Sequence, residues 1–180
     1  IGIFGLGGIG LSALLSLKVF KCSKIIAIDV SEEKLNLARK FGSTHSINCS
    51  KHNPVEEVHK LTKGLGLDYC VEAAGTTKTI ELAFNMVRKN GGKCVFASHP
   101  QYGRTISLDP FDLINGKSIF GTWGGKSSPD KDIPKLAEIY FKYNLPLQNL
   151  IPKVYSLDHI NDALNDIENK RVFRPLIKFD

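Results

Sequence analysis

The residues best suited to chemistry are glycines with the spacing G-x-G-x-x-G near the start of the chain, in the run Gly5-Leu6-Gly7-Gly8-Ile9-Gly10. Glycine at the first position permits a sharp bend, at the second it lets a ligand approach the main chain, and at the third it lets a helix pack closely on a strand. Unpaired N–H groups at the start of that helix attract phosphate. We therefore predict that these six residues form a turn that binds the pyrophosphate of a dinucleotide.

A carboxylate follows at the end of the second predicted strand. Asp29 closes a run that begins at Lys24, and it lies about twenty residues beyond the last glycine, the interval typical of the acid that binds the adenosine ribose. It can accept hydrogen bonds from both ribose hydroxyls, and its charge repels a 2′-phosphate. We therefore expect NAD rather than NADP as the cofactor. Lys34, on the next predicted helix, is a further candidate for contact with this ribose.

The segments around the glycines supply the context that the motif requires. Residues 1–4 form an apolar run typical of a buried strand, and residues 11–20 have the apolar spacing of a helix. A Walker-type phosphate loop is excluded, because Leu11 and Ser12 stand where that motif needs Lys followed by Ser or Thr. The order strand, turn, helix and strand favours a dinucleotide site over a chance match.

Strand-like and helix-like segments alternate along most of the chain. This alternation predicts an α/β protein with a doubly wound parallel sheet, the Rossmann fold. Ligands bind such sheets at the carboxyl ends of the strands, so Ala73 and the residues up to Thr77 are expected beside the cofactor. Asp68 and Glu72 are expected to be structural, because nothing nearby forms an acid–base pair with them. The further predicted strands are Ser46–Cys49, Leu67–Glu72, Cys94–Ala97, Thr105–Leu108 and Ser118–Thr122.

The pattern changes at Trp123-Gly124-Gly125, where a polar stretch begins that continues to Asp132. We place the domain boundary here, with a NAD-binding Rossmann domain in residues 1–124 and a C-terminal segment in residues 125–180. The elements predicted in the segment are a helix over Ile133–Tyr143, a strand over Ile151–Tyr155, a helix that Ser156 or Asp158 caps, and a strand over Phe173–Phe179.

Charge and composition exclude several classes of protein. The net charge of +6 comes from 24 Lys and Arg against 18 Asp and Glu without a basic run, which indicates a solvated surface and no nucleic-acid partner. No apolar run reaches the eighteen or so residues that span a bilayer, so no membrane partner is expected. The four cysteines lack C-x-x-C spacing and are expected to be reduced thiols in a cytoplasmic protein. Because the chain has no initiator Met, we expect it to be the C-terminal part of a longer protein.

Three histidines and a cysteine form the cluster whose residue types could bind metal. His45, Cys49, His52 and His59 straddle a strand end, a loop and a helix without the paired spacing of a tetrahedral zinc site. We therefore interpret them as surface loop residues and predict no metal site in this chain. His99, at the end of a predicted strand, could contact the nicotinamide or the substrate, or it could be a polar residue at a strand end, which we favour from the residues alone.

These features together resemble one family, the medium-chain, zinc-type alcohol dehydrogenases, in their cofactor-binding half. The order and intervals of the motifs carry the resemblance more than any single motif, and they extend over essentially all 180 residues. The motifs concerned are Phe4 to Gly10, Asp29 with Lys34, Asp68 with Glu72 and Gly75, Gly91-Gly92, Gly121-Thr122-Trp123-Gly124, and Phe173-Arg174-Pro175-Leu176.

The resemblance implies roles for particular residues. NAD would be held by the glycine turn and Asp29, and Arg174 would neutralise the pyrophosphate. No catalytic residue and no metal ligand falls on this chain, because the family holds its catalytic zinc by cysteines and a histidine in an N-terminal domain that this sequence lacks. The main chain would hold the carboxamide of the nicotinamide at Ala97, His99, Thr122 and Gly124.

The resemblance also implies a partner. Family members pair as dimers, or as dimers of dimers, through edge strands of this half, which correspond to Arg104–Leu108 and Lys117–Thr122. The sequence departs from the better-known members at His99 and Trp123, where smaller or aliphatic residues are commoner. The substrate class within the alcohols and aldehydes therefore stays open.

The leading hypothesis is the NAD-binding half of a zinc-dependent alcohol dehydrogenase, which transfers hydride between an alcohol and aldehyde pair and NAD. The chain alone is expected to bind the cofactor without turnover. Three alternatives stay open. One is a zinc-free NAD(P)H quinone or enoyl reductase of the same superfamily, which usually prefers NADPH, so that Asp29 argues against it. The second is a polyol or formaldehyde–glutathione dehydrogenase, and the third is a non-catalytic NAD-sensing or dimerising module.

Overall fold

The computed structural model describes residues 1–151, 153–169 and 171–179. The chain divides into two compact units, Ile1–Asp132 and Ile133–Asp180. The first unit contains strands β1 Gly2–Phe4, β2 Ile26–Asp29, β3 His45–Asn48, β4 Tyr69–Glu72, β5 Lys93–Phe96 and β6 Ser118–Gly121. Its helices are α1 Gly8–Ser16, α2 Glu32–Phe41, α3 Pro54–Leu61, α4 Thr77–Met86 and α5 Pro110–Ile114, and α6 covers Pro129–Tyr143.

The six strands form one parallel sheet in the order β3-β2-β1-β4-β5-β6. The chain moves outward from β1 through β2 to β3 and then returns to place β4 on the other side of β1. This reversal is the topological switch point at which such sheets bind ligands, next to the carboxyl ends of β1 and β4. The predicted α/β fold with a doubly wound parallel sheet is confirmed.

The sheet is stable because its central strands are apolar on both faces. Ile26 and Ile28 are fully buried in one core with Phe84 and Met86 of α4, and Ile3 is fully buried as well. Continuous apolar strands are typical of a parallel sheet that helices cover on both sides.

The helices that follow β2, β3 and β4 begin with side-chain caps. Ser31 Oγ accepts a hydrogen bond from the N–H of Lys34 at 3.4 Å, and Asn53 Oδ1 accepts one from Val55 at 3.0 Å. Thr76 begins α4 with a reciprocal capping box. Each cap fixes the point at which the chain leaves the carboxyl end of a strand and enters a helix. No helix within the described residues combines the length and apolar character needed to cross a membrane.

The predicted strand over Thr105–Leu108 is wrong. This segment has no regular secondary structure, and the N–H of Ser107 donates to Oε1 of Glu81 on α4 at 2.7 Å. Its alternating residues suit a strand, but a helix side chain takes its backbone donor, and β6 pairs directly with β5. The strand predicted over Ser118–Thr122 is present as β6, which ends at Gly121.

Other predicted strands are present with shifted limits. The strand predicted from Lys24 begins at Ile26, and the third strand covers His45–Asn48. The fifth ends at Phe96, and the N–H of Ala97 donates to the carbonyl of Glu72 at 2.9 Å. These differences concern strand ends, where apolar pattern alone does not fix the last paired residue.

The second unit contains strand β7 Val154–Ser156, helix α7 Ile160–Glu168 and strand β8 Leu176–Lys178, with β7 and β8 paired in parallel. The predicted strand over Ile151–Tyr155 includes Pro152, which lies outside the described residues, and the strand begins at Val154. The final strand is shorter than predicted and follows Pro175. The domain boundary proposed after Gly124, and the role of residues 125–180, stay predictions.

Asp166 on α7 organises the described part of the second unit. Its carboxylate accepts hydrogen bonds from Tyr155 Oη at 2.5 Å, Lys153 Nζ at 3.1 Å and Arg171 Nη1 at 3.2 Å. The hydrogen bonds from Tyr155 and Lys153 lower the pKa of Asp166 to about 2. The carboxylate thereby joins β7, α7 and the segment that leads to β8.

Candidate functional site

The first glycine turns the chain at the end of β1. Gly5 has φ 88°, and its N–H donates to the carbonyl of Ile28 on β2 at 2.8 Å. A Cβ at this position would lie 2.6 Å from the N of Ala74, and one at Gly10 would lie 1.8 Å from the carbonyl oxygen of Gly5. The predicted conformational roles are confirmed, since the first glycine needs its backbone angle and the last needs the close approach of α1 to the turn.

Gly7 differs from these two glycines. Its angles, φ −80° and ψ −166°, are open to any residue, and a Cβ built there meets no protein atom within 4 Å. Neither the backbone nor a neighbouring side chain therefore requires glycine at this position. The open space lies at the start of α1. A glycine here is explained by a ligand that approaches the main chain in this space.

The start of α1 is free to bind an anion. Gly7 is the N-cap residue, no side chain caps the helix, and the first turn carries no acidic residue. The first N–H groups of a helix have no partner within the helix. Gly8 begins the helix, and the side chain of Ile9 is 46% exposed. The turn therefore presents unpaired donors and the positive end of the helix dipole, the arrangement that binds phosphate.

Asp29 lies at the end of β2, beside the glycine turn, and is only 7% exposed. Its Oδ2 accepts a hydrogen bond from the N–H of Leu6 at 2.7 Å, and its Oδ1 accepts one from Ser31 at 2.9 Å. A carboxylate has about four acceptor sites. Two backbone donors leave capacity for the two hydroxyls of a ribose. The sequence predicted the ribose contact but did not reveal that the same carboxylate fixes the turn.

A cleft of about 440 Å³ opens next to Asp29 at the carboxyl end of the sheet. Its lining combines apolar side chains with a few polar groups, which suits a flat, partly apolar group such as a purine. Sequence reasoning missed most of this lining, because the residues come from the ends of β1, β2 and β3, from the turn after β4, and from α3 and α4. The lining residues are Phe4, Gly5, Asp29, Val30, Cys49, His52, Asn53, Pro54, Ala74, Lys78, Thr79 and Leu82.

The metal-like residues divide between this cleft and other positions. Cys49 and His52 line the cleft, whereas His45 and His59 do not. Burial, and then the negative charge of Asp29, raises the pKa of the Cys49 thiol. No group of three or more His, Cys, Asp or Glu side chains in the described parts of the chain could hold a metal ion.

Other predicted cofactor residues lie around the carboxyl ends of the strands. Ala73 follows β4, and its N–H donates to the carbonyl of Phe4 at 2.7 Å, which ties it to the start of the glycine turn. Lys34 lies in the first turn of α2, and its side chain makes no hydrogen bond or ion pair within residues 1–151, 153–169 and 171–179. Lys34 is also absent from the lining of the cleft. Its contact with the ribose stays a prediction.

The residues predicted to hold the carboxamide follow β5 and β6, which are neighbours in the sheet. The N–H groups of Ala97 and Thr122 already donate to the carbonyls of Glu72 and Phe96, at 2.9 Å and 3.1 Å. Of the main-chain groups of these two residues, only the carbonyl oxygens could therefore bind a carboxamide. Gly124 follows two residues later with φ 55°.

The rings of His99 and Trp123 contact each other in a tilted arrangement at the carboxyl ends of β5 and β6. The ring centroids lie 4.3 Å apart at an interplanar angle of 57°, and Trp123 is 81% exposed. The pair brings together the two residues at which the sequence departs from the better-known members of the family. Arg174 lies in the second unit and is exposed, and its contact with pyrophosphate stays a prediction.

The sheet order and the glycine turn define the Rossmann class of α/β domain. A family model described as zinc-binding dehydrogenase matches residues 8–142. Alcohol dehydrogenase-like 2 and alcohol dehydrogenase-like 1 of Arabidopsis thaliana are 32% and 33% identical over 99% and 100% of this chain. The chain spans 47% of the length of each relative.

Solved structures give the same result. A benzyl alcohol dehydrogenase from Acinetobacter calcoaceticus matches with a TM-score of 0.93 and 35% identity over 99% of this chain and 49% of its own. An alcohol dehydrogenase zinc-binding domain protein from Burkholderia ambifaria matches with a TM-score of 0.92 and 28% identity over 99% of this chain and 48% of its own. The chain belongs to the zinc-binding dehydrogenase family and corresponds to the C-terminal, NAD-binding half of zinc-type alcohol dehydrogenases.

Proposed function

We propose that this chain binds NAD(H) over the glycine turn and serves as the cofactor-binding half of an alcohol dehydrogenase, which interconverts an alcohol and an aldehyde. The observation that carries the proposal is the open space at Gly7, where no protein atom lies within 4 Å of the position that a Cβ would take. A pyrophosphate in this space would meet the uncapped start of α1. The ribose of the adenosine would then lie beside Asp29, and the adenine in the adjacent cleft.

Asp29 supports NAD rather than NADP as the cofactor. Its carboxylate accepts hydrogen bonds from the N–H groups of Leu6 and Ser31 and lines the cleft of about 440 Å³. A 2′-phosphate at this ribose would place a second negative charge against a largely buried carboxylate, which costs free energy. This repulsion also argues against the reductases of the superfamily that use NADPH.

The function that we propose for this chain is to bind and orient the cofactor. The N–H groups at the start of α1 neutralise the pyrophosphate, and Asp29 fixes the ribose, so that the nicotinamide extends toward the ends of β5 and β6. Zinc, which the family implies, has no ligand group within the described residues. We therefore assign no zinc ligand to the residues that the structure describes.

The relatives support the reaction class. The Arabidopsis thaliana proteins are named alcohol dehydrogenase-like, and the protein from Acinetobacter calcoaceticus is a benzyl alcohol dehydrogenase. We infer hydride transfer between NAD and an alcohol or aldehyde for the whole enzyme. The exposed pair of His99 and Trp123 at the nicotinamide end would contribute to the choice among alcohols.

We also propose pairing of two copies through β6. This strand is at the edge of the sheet, and Phe120 on it is 51% exposed. An edge strand offers unpaired N–H and C=O groups to a second copy. Of the two predicted edge segments, Arg104–Leu108 has no strand, whereas Lys117–Thr122 contains β6.

The cofactor proposal is tested by titrating the 180-residue chain with NADH and NADPH while following the fluorescence of the reduced nicotinamide. We expect NADH to bind with a dissociation constant at least about tenfold lower than that of NADPH. Equal affinities, or tighter binding of NADPH, would contradict the role given to Asp29. Absence of any NADH binding would contradict the whole proposal.

A further inference from the structure

We propose that Glu72 is a positioning residue for the nicotinamide half of the cofactor. It would act by joining the turn after β4 to the segment after β5, and it would touch no reacting atom. The inference rests on the proposed function, because it takes NAD(H) to lie across the carboxyl ends of these strands. It assigns a function to a side chain that the sequence alone marked as structural.

The carboxylate of Glu72 accepts hydrogen bonds from two segments of the chain. Glu72 is the last residue of β4 and is fully buried. Its Oε1 accepts hydrogen bonds from the N–H groups of Ala74 at 2.8 Å and Gly75 at 2.9 Å, and from Thr79 Oγ1 at 2.8 Å. Its Oε2 accepts a hydrogen bond from Ser98 Oγ. The side chain therefore holds the start of α4 and the end of β5 at one point.

The carboxylate of Glu72 has no cationic partner among the described residues. No Lys, Arg or His among the described residues forms a salt bridge with it, and all its partners are neutral donors of the two segments. Burial of an unpaired carboxylate is costly unless its acceptor sites are filled. A side chain that only filled space here would be apolar. The geometry therefore indicates that Glu72 serves to order the two segments.

Both segments lie at the proposed cofactor site. A Cβ on Gly5 would lie 2.6 Å from the N of Ala74, so the turn that Glu72 holds abuts the glycine turn. Ser98, which is 8% exposed, lies between Ala97 and His99 of the predicted carboxamide-binding segment. Asp29 lies on the other side of β1, since β2 and β4 flank that strand. Ala74 and Thr79 line the adenosine cleft, but Ser98 does not. Loss of the Ser98 contact should therefore affect the nicotinamide end selectively.

The test compares two ligands that share the adenosine and pyrophosphate but differ in the nicotinamide. Dissociation constants of NADH and ADP-ribose are measured by calorimetry for the unaltered 180-residue chain and for Ser98→Ala. We expect NADH to bind about fivefold more weakly to the variant, the effect of one lost hydrogen bond, and ADP-ribose to change by less than about twofold. Ser107→Ala is the matched control, because Ser107 is exposed and contacts Glu81 only through its backbone.

A second variant distinguishes the ordering of the two segments by Glu72 from a general loss of stability of the chain. Glu72→Gln keeps an oxygen acceptor for the β4 turn and an amide that can donate to Ser98, so we expect it to retain NADH affinity within about threefold. Equal weakening of NADH and ADP-ribose by Ser98→Ala would show a general structural role and overturn the proposal. An unchanged NADH affinity in Ser98→Ala would overturn it as well. If the unaltered chain bound neither ligand, the proposed function itself would be wrong, a result distinct from either of these.

Discussion

The backbone N–H of Leu6 donates a hydrogen bond to Oδ2 of Asp29 at 2.7 Å. Leu6 is fully buried and Asp29 is 7% exposed, so water competes little for this bond. The acid at the end of β2 thereby holds the glycine turn that follows β1. The two groups that would bind the ribose and the pyrophosphate form one preorganised unit, which reduces the entropy lost when a dinucleotide binds.

Replacement of Asp29 should weaken NADH and relax the discrimination against NADPH. Asp29→Ser replaces the two carboxylate oxygens that would accept hydrogen bonds from the ribose hydroxyls with one shorter hydroxyl, and it removes the charge that repels a 2′-phosphate. We expect the dissociation constant of NADH to rise at least about tenfold, from the loss of hydrogen bonds to a charged group. Fluorescence titration with both cofactors measures the effect. Glu33→Gln, which removes an exposed carboxylate of α2, is the control, and an unchanged preference for NADH in Asp29→Ser would show that the residue is misassigned.

Gly7→Ala should separate binding from folding. The backbone angles of Gly7 suit alanine, and the added methyl meets no protein atom within 4 Å, so we expect a melting temperature within about 2 °C of the unaltered chain. The methyl would occupy the space of the pyrophosphate, and NADH should bind at least about tenfold more weakly.

The contrasting variant is Gly10→Ala. A Cβ at Gly10 would lie 1.8 Å from the carbonyl oxygen of Gly5, so this substitution should lower stability as well as affinity. Circular dichroism and NADH titration of both variants give the comparison. Normal NADH affinity in Gly7→Ala would place the pyrophosphate elsewhere.

The second unit should lose stability in acid as Asp166 is protonated. The hydrogen bonds from Tyr155 and Lys153 lower the pKa of Asp166 in the folded chain to about 2, below its value in an unfolded chain, about 3.9. A carboxyl group with a lowered pKa stabilises the fold above the unfolded value. This contribution is lost as the pH falls from about 4 to about 2.

The variant that tests this prediction is Asp166→Asn. We expect its melting temperature at neutral pH to fall by about 2–4 °C, and its stability to depend less on pH in the acid range than that of the unaltered chain. Asp162→Asn is the matched control, because the described partner of Asp162 is the exposed His159, which immediately precedes α7. Identical acid sensitivity of the Asp166→Asn variant and the unaltered chain would refute the assignment.

Two buried thiols should resist modification. Burial, and then the charge of Glu72, raises the pKa of Cys94 to about 12, and burial raises the pKa of Cys70 well above its usual range. The thiolate is the reactive form. In a chain that carries Cys22→Ser and Cys49→Ser, a disulfide reagent at about pH 8 should therefore modify the thiols only after unfolding in guanidinium chloride. Rapid reaction of the folded chain would contradict the burial of these strands.

The proposed pairing through β6 predicts a dimer that one charge disrupts. Phe120→Lys places a cation on an edge-strand residue that is 51% exposed, and light scattering should show a shift from dimer to monomer. Phe20→Lys, at a residue 63% exposed and outside β6, should leave the dimer intact. A dimer that tolerates the change at Phe120 would exclude this edge as the interface.

The sequence predicted the elements whose signals are local. Gly5, Gly10 and Asp29 follow from their spacing in the sequence. The cleft did not follow, because its lining comes from the ends of β1, β2 and β3, from the turn after β4, and from α3 and α4, and only the sheet order brings these together. The strand predicted at Thr105–Leu108 failed for the same reason, since a side chain distant in sequence takes its backbone donor.

The most direct test of the central claim is a crystal structure of the chain with NADH. We expect the pyrophosphate within hydrogen-bond distance of the N–H groups at Gly8 and Ile9, and the adenosine ribose hydroxyls on the carboxylate of Asp29. A dinucleotide bound away from the glycine turn, or a ribose without contact to Asp29, would contradict the account.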